Sequence, residues 1–307
     1  MKIIRSIIFL AAALVALPAL ADTTPINQTH DLAPKAHLSV SNVAGAVIVQ
    51  TWNKSQVAMT GSLGFNSKIE VSGDADDLTI KVKGLHEDDS GWFHWSDDNM
   101  GATTLKLMVP AGISLDVDTV SANIDAKGLH DGKLDLHTVS GNVRLDATSP
   151  QVRIKSVSGE VTLDGTADHL SITTVSGDIH ARQAVHDATA QSVSGDIRLG
   201  GGPLEEVQME SVSGDLNLNA TLAADADANL HSTSGDIEVN LGGNAQATIS
   251  ANTFSGDIRS AYGTVRTPEY GPGSSLDAKV GNGGATITLK TMSGDIGIGH
   301  AMKSSGG

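Results

Sequence analysis

The stretch Ser176-Gly177-Asp178-Ile179 decides the fold, because it recurs down the chain at nearly constant intervals. Close copies begin at Ser194, Ser213, Ser234, Ser255 and Ser293, and looser copies begin at Ser121, Ser140 and Ser158. From serine to serine the steps are 19, 18, 18, 18, 19, 21, 21 and 38 residues. A period of about 20 residues is typical of a solenoid, in which each repeat forms one coil and stacks on the next.

Apolar and polar positions alternate on both sides of the repeated serine. The columns six and four positions before the serine are apolar in all nine copies, and the column three positions before it is polar. The column three positions after the serine is aliphatic, from Ile124 to Ile296. Such alternation predicts two half-buried strands per repeat. We therefore predict an all-β fold, a parallel β-solenoid (β-helix or β-roll) of about nine coils, which would stack to about 43 Å at roughly 4.8 Å per coil.

Counted from the repeated serine, the buried positions are even-numbered before it and odd-numbered after it. The side-chain alternation therefore slips by one residue, and the chain must bend or bulge at the motif. Glycine adopts backbone angles that cost other residues energy. We assign a structural turn role to the corner glycines Gly141, Gly159, Gly177, Gly195, Gly214, Gly235, Gly256 and Gly294. The Ser or Thr two positions before each serine is expected to satisfy backbone groups at the corner.

Residues 1–21 have the three parts of a secretory signal peptide. Lys2 and Arg5 precede the apolar segment Ile7 to Leu17, and Ala19-Leu20-Ala21 matches a small-x-small cleavage site. The apolar segment is too short for an ordinary membrane helix. We therefore expect a periplasmic or secreted protein after cleavage near Ala21.

The rest of the chain divides by the presence of the repeated corner. Residues 22–110 lack it in register and predict an N-terminal β-rich cap that covers the first strand edge. Residues 111–299 are predicted to form the solenoid repeats, and residues 300–307 a flexible tail.

Charge and composition narrow the class of partner. The formal net charge is −15, and removal of Lys2 and Arg5 with the signal peptide takes it to −17. Such a surface repels phosphate backbones and anionic lipid, so we expect no nucleic acid partner and no direct membrane insertion. The chain has no cysteine and therefore no disulfide. An envelope protein or a glycan is the expected type of partner, and the solenoid ends could support oligomers.

The column two positions after the serine is mostly acidic. We regard Asp178, Asp196, Asp215, Asp236 and Asp257 as weak candidate metal ligands. Unit charges about 4.8 Å apart repel by roughly 0.9 kcal/mol in water. Bound cations could offset this repulsion, and so could Arg198 and Arg259, two residues after Asp196 and Asp257. The spacing differs from that of calcium-binding nonapeptide repeats. We therefore expect no dedicated cofactor and leave weak Ca²⁺ binding open.

A second candidate site interrupts the predicted cap. Trp92, Phe93 and Trp95 lie in an acidic segment that contains two of the three tryptophans of the chain. Exposed aromatic rings among polar groups are typical of sugar-stacking or partner-binding loops. The same rings could instead cover the core of the cap, and both interpretations stay open.

Enzymatic activity is the competing class of function. Neighbouring Asp196 and Asp215 could in principle form the carboxylate pair of a polysaccharide hydrolase or lyase on a β-helix. A catalytic pair needs two different environments, whereas a repeated column gives each carboxylate nearly the same one. We therefore predict that the protein is not an enzyme, with a polysaccharide-acting enzyme as the alternative.

The corner sequence also resembles that of a known family. Thr174-Val175-Ser176-Gly177-Asp178-Ile179 matches the repeated T-V-S-G-D-I corner of bacterial secreted proteins of unknown function that are labelled putative adhesins. The Gly-x-Val-x-Val-x-x-Trp segment of that family is matched by Gly45, Val47, Val49 and Trp52. The resemblance implies an adhesin-like β-solenoid and supplies no catalytic residues. We predict a non-enzymatic exported scaffold or binding module of the cell envelope.

Overall fold

A computed structural model describes residues 23–85, 100–242, 245–269 and 272–300. The signal peptide prediction, the three aromatic residues of the second candidate site and residues 301–307 of the predicted tail lie outside these ranges. The described residues form nineteen β-strands in one continuous sheet, so the all-β prediction is confirmed. Within them, no helix is long and apolar enough to cross a membrane.

The strands are as follows. They are β1 Thr24–Asp31, β2 His37–Trp52, β3 Gln56–Leu63, β4 Ser67–Gly73, β5 Asp77–Gly84, β6 Thr103–Pro110, β7 Ser114–His130, β8 Leu134–Thr138, β9 Val143–Ser156, β10 Val161–Thr173, β11 Ile179–Ser192, β12 Ile197–Ser211, β13 Leu216–Ser232, β14 Ile237–Leu241, β15 Ala247–Thr253, β16 Ile258–Ser260, β17 Ser274–Val280, β18 Ala285–Thr291 and β19 Ile296–His300.

Equivalent positions of successive repeats pair in parallel, which makes the chain a β-solenoid. Before the corner, Ala188 of β11 lies between Leu170 and Val207 of the neighbouring coils. After the corner, Ile197 of β12 lies between Ile179 and Leu216. Each apolar column of the sequence thus becomes a row of buried side chains, and together the rows form one core along the stack.

The predicted slip in side-chain alternation occurs at the corner. In the Ser194 repeat, Ser192 is buried, Val193 and Ser194 are both exposed, and Gly195 and Ile197 are buried again. Two consecutive residues therefore point outward at each such bend. This places the residue before the serine on the surface, although its apolar character alone would suggest burial.

The parallel stack also includes strands that precede residue 111, in the section that the sequence predicts to be a cap. β2 pairs with β7 in parallel on both sides of a corner, with Leu38 opposite Leu115 and Val47 opposite Ile124. β5 and β6 together form a further coil on β2. β4 and β3 then pair antiparallel to β5 and β6, and β1 pairs antiparallel to β3. The covering strands are therefore β1, β3 and β4 rather than the whole of residues 22–110.

The last two repeats are not stacked in chain order. β18 and β19, the strands of the Ser293 repeat, pair on one side with β13 and β14 of the Ser234 repeat. On the other side they pair with β15 and β16 of the Ser255 repeat. The Ser293 repeat is thus inserted between its two predecessors. The interval of 38 residues contains β17, which covers β15 in antiparallel orientation before the chain returns.

Candidate functional site

The repeated corners lie above one another and form a continuous edge of the solenoid, which we call the corner edge. Its backbone groups bond from coil to coil. The Ser176 N–H donates to the carbonyl of Val157, and the Ser194 N–H to that of Val175, both at 2.9 Å. The Ser176 hydroxyl donates to the same Val157 carbonyl at 3.3 Å. The carbonyl groups that precede the corner serines are therefore already used within the stack.

The corner glycines are needed for close packing and not for unusual φ angles. None of the eight has a φ in the left-handed range, so the explanation from backbone angles is wrong. A Cβ on Gly195 would overlap the carbonyl oxygen of Gly177, and a Cβ on Gly177 would overlap that of Gly159. The predicted role of the nearby hydroxyls is confirmed, since the Gly195 N–H donates to Ser192 Oγ at 2.8 Å.

The acidic column forms a ladder of hydrogen bonds, which we call the carboxylate row. The Asp196 N–H donates to Asp178 Oδ1 at 2.9 Å, the Asp215 N–H to Asp196 Oδ1 at 3.0 Å, and the Asp236 N–H to Asp215 Oδ1 at 2.9 Å. Through the inserted repeat, the Asp295 N–H donates to Asp236 Oδ1 at 2.8 Å. The predicted metal-ligating residues are thus brought into one row, and an oxygen of each of these four acceptors is engaged by the backbone.

The same row begins with asparagine at the N-terminal end of the solenoid. The Asn142 N–H donates to Asn123 Oδ1 at 2.9 Å, and the Glu160 N–H donates to Asn142 Oδ1 at 3.0 Å. An amide oxygen therefore serves in this position as well as a carboxylate does. The shared property of the column is a hydrogen-bond acceptor, and the negative charge is additional.

The arginine pairing differs in part from the prediction. Arg198 binds Asp196 Oδ2 at 3.2 Å, as expected. Arg259 binds Asp295 Oδ2 at 3.4 Å and not Asp257, because the inserted repeat lies next to the Ser255 repeat. In both pairs the arginine binds the carboxylate oxygen that the backbone ladder leaves free. Within the described residues no three His, Asp or Glu side chains group to hold a metal ion, and Ca²⁺ binding stays a prediction.

A line of exposed apolar side chains accompanies the carboxylate row, which we call the apolar ridge. Its members are the residues immediately before the corner serines, or their equivalents, and are 36 to 61% exposed: Val43, Val139, Val157, Val175, Val193, Val212, Met292 and Phe254. Val120 and Thr233 complete the line at two levels and are partly exposed. Sequence reasoning missed this feature, although the slip in alternation could have revealed it.

The predicted aromatic site cannot be placed, because Trp92, Phe93 and Trp95 lie outside the described residues. β5 and β6 pair with β2 before and after the corner of β2. The chain therefore leaves β5 and enters β6 at the corner edge. Leu85, at this end, is 50% exposed.

A second polar cluster lies on the face that precedes the corner. His137 Nδ1 lies 3.2 Å from Asp118 Oδ1, and His137 Nε2 lies 2.9 Å from Asp135 Oδ1. Arg153 also binds Asp135, at 3.2 Å. Burial, together with the charges of Asp118 and Asp135, raises the pKa of Asp116. The cluster is a charged part of the sheet surface, in which the Arg153 guanidinium partly offsets the charge of Asp135.

The comparison with protein families settles which family this architecture represents. Residues 36–299 match the sequence model of the family described as Toastrack DUF4097. The chain belongs to the Toastrack DUF4097 family. This agrees with the resemblance to adhesin-like proteins of unknown function. No curated protein matches the chain in sequence.

Three solved structures are also similar to this Toastrack chain. A "putative adhesin" of Bacteroides fragilis is 12% identical, covers 91% of this chain and 98% of its own, and has a TM-score of 0.32. A "putative adhesin" of Parabacteroides distasonis is 13% identical over 91% and 98% of the two chains, with a TM-score of 0.30. A "putative cell adhesion protein" of Clostridium sporogenes is 10% identical over 90% and 100%, with a TM-score of 0.22. The family assignment rests on the sequence match.

Proposed function

We propose that this Toastrack protein is a non-enzymatic, exported scaffold or binding module of the cell envelope, and that it binds its partner along the corner edge. The observation that carries the proposal is the ridge beside the carboxylate row, which is apolar at every level of the stack except that of Thr233. Exposed apolar residues that form a contiguous, polar-rimmed patch are typical of interaction surfaces. A stack of equivalent coils presents such a patch as a line, which suits an elongated partner.

Export is supported by the pattern of residues 1–21, with its basic start, apolar centre and small-x-small end. Fractionation of cells that express the full chain should find the processed protein in the periplasm or medium. Replacing Leu10 and Leu14 with Arg interrupts the apolar segment and should leave the precursor in the cytoplasm. Processing and export of this variant would contradict the proposed route.

The binding role can be tested with a photoreactive amino acid in living cells. Val193 lies on the apolar ridge, and Gln183 is an exposed residue of the same coil away from the corner. We expect the probe at Val193 to cross-link to a discrete partner and the probe at Gln183 not to do so. Equal cross-linking at both sites, or none at Val193, would refute binding through the corner edge.

The non-enzymatic part of the proposal is supported by the equivalence of the carboxylates. Asp196 and Asp215 each accept the backbone N–H of the next coil with one oxygen. Apart from Arg198, which binds only Asp196, the two carboxylates have the same surroundings, whereas an acid and a base or nucleophile need different ones. A screen of hydrolase and lyase activity on envelope glycans tests this point. Turnover that disappears in Asp196→Asn would overturn the proposal in favour of a polysaccharide-acting enzyme.

A further inference from the structure

We propose that the apolar ridge is the docking surface for a basic amphipathic α-helix of a partner protein. This inference rests on the proposed binding role of the corner edge and specifies the partner. It is carried by four properties of the edge: its length, its saturated backbone, the spacing of its apolar side chains and the charge beside them.

The ridge is long enough to hold an extended secondary-structure element. In stacking order it runs from Val43 through the central valines and Thr233 to Met292 and Phe254. Nine steps of roughly 4.8 Å between paired strands give a length of about 43 Å. An α-helix of about 29 residues spans this distance at 1.5 Å per residue.

The backbone of the edge is unsuited to recruiting a β-strand. A strand that joins a sheet needs free N–H and C=O groups along the edge. Here the Val157 and Val175 carbonyls accept the N–H groups of Ser176 and Ser194, and the pattern continues from Val193 to Ser213. A partner must therefore be recognised through the valine side chains.

The spacing of those side chains fits a helix better than a strand laid along the ridge. Neighbouring ridge residues are separated by about 4.8 Å, the distance between paired strands. Successive turns of a helix present residues on one face every 5.4 Å or so. Residues on one face of a strand recur only every ~6.7 Å. A helix therefore keeps its apolar face in contact over more consecutive coils.

The carboxylate row indicates that the partner is basic. It runs three residues after the ridge in each repeat, and Asp178, Asp215, Asp236 and Asp257 have no ion-pair partner within the described residues. Lysine or arginine along one flank of the helix would pair with these carboxylates. A second copy of this chain is a poorer occupant, because each copy carries a formal charge of −15, or −17 once Lys2 and Arg5 are removed with the signal peptide. The ridge is also mostly aliphatic, whereas sugar rings favour aromatic platforms.

The test uses the processed full chain and a labelled synthetic peptide of about 28 residues, designed as a helix with leucine on one face and lysine on its flanks. We expect saturable binding in fluorescence anisotropy. The double variant Val175→Asp and Val193→Asp should weaken binding at least tenfold, even though it adds negative charge. The matched control, Gln183→Asp and Thr221→Asp, changes exposed residues outside the ridge by the same charge and should change affinity less than twofold.

Two further probes separate the alternatives. A peptide with glutamate in place of lysine should not bind, and an alternating valine–lysine peptide that forms strands should bind at least tenfold more weakly. Equal binding of the strand peptide, equal binding to the ridge variant, or no binding of the lysine helix would overturn the inference. Photo-cross-linking at Val193 without helix binding would leave the proposed function intact and refute only the helical partner.

Discussion

Substitution of Asp215 separates the two effects of the carboxylate row on stability. Asp215 Oδ1 accepts the Asp236 N–H at 2.9 Å, and the Asp215 N–H donates to Asp196 at 3.0 Å. Asp215→Asn keeps the acceptor and removes the charge, whereas Asp215→Ala removes both. Asn142 already occupies the equivalent position and accepts the Glu160 N–H at 3.0 Å. The chain thus shows that asparagine can make this bond.

The expected magnitudes follow from the coil spacing. A carboxylate about 4.8 Å from each of two neighbours is repelled by roughly 1.7 kcal/mol in water. Physiological salt, with a Debye length of about 8 Å, lowers this repulsion to about 1 kcal/mol. The neutral amide makes a weaker hydrogen bond than the carboxylate, which offsets about half of the relief. We expect Asp215→Asn to raise the free energy of unfolding by about 0.5 kcal/mol. The free energy of unfolding of Asp215→Ala should be about 1 kcal/mol lower than that of the asparagine variant, because alanine cannot accept the Asp236 N–H.

Urea denaturation of the processed chain, followed by circular dichroism, measures both differences. At about 1 M NaCl the advantage of the asparagine variant over the wild type should largely disappear, because added salt screens the row. An asparagine variant no more stable than the alanine variant would refute the hydrogen-bond ladder. An asparagine variant clearly less stable than the wild type at low salt would refute the repulsion argument.

The same proteins test the prediction of weak Ca²⁺ binding. Cations that bridge free Oδ2 atoms would stabilise the wild type with a mass-action dependence on CaCl₂ and lose this effect in Asp215→Asn. Equal stabilisation by CaCl₂ and by NaCl of the same ionic strength would exclude such sites.

Three further changes test other parts of the structure. Gly195→Ala should lower the melting temperature by several degrees because its Cβ meets the Gly177 backbone, whereas Gly297→Ala, whose Cβ makes only an ordinary 3.7 Å contact with the Glu238 side chain, should not. Asp116→Asn should be more stable than the wild type at neutral pH. This difference in stability should shrink as pH falls through the raised pKa of Asp116, because the native wild type favours the protonated carboxyl. A difference that stays constant across pH would contradict this. Cysteines at Asn229 and Thr288, paired in neighbouring coils, should form a disulfide on oxidation in this cysteine-free chain, and failure to cross-link would contradict the inserted repeat.

The sequence determines the coil because its signals are local. The apolar columns through Ala190 and Ile197, with the slip between them, are sufficient to predict two strands and a bend in each repeat. The N-terminal coil on β2 was missed because Asn42-Val43-Ala44 replaces the usual corner. A signal was nevertheless present, since Gly45 stands in the corner-glycine position and Val47 and Val49 follow in the buried register.

Stacking order is a different type of information, and the repeats do not contain it. Ser255-Gly256-Asp257-Ile258 and Ser293-Gly294-Asp295-Ile296 are identical, so either coil could follow the Ser234 repeat with the same corner contacts. The 38-residue interval indicates an interruption without showing which side of the next coil the chain returns to. Similarly, the acidic column alone suggests that its carboxylates bind cations or arginine. The structure shows that they also accept the backbone N–H of the next coil. Asn123 and Asn142 in that column were the available clue, because asparagine shares with aspartate the acceptor and not the charge.

The inserted repeat also gives the corner edge a direction. The central valines present nearly the same surface at each level, so they can supply affinity without fixing the position of a partner along the stack. Thr233 interrupts the ridge, and the larger Met292 and Phe254 lie beyond it, 58% and 61% exposed. In chain order Phe254 would lie between Thr233 and Met292; insertion instead places Phe254 at the outer level, beside β17. A partner that uses the whole ridge must therefore take its register from this end, where side-chain size changes from coil to coil.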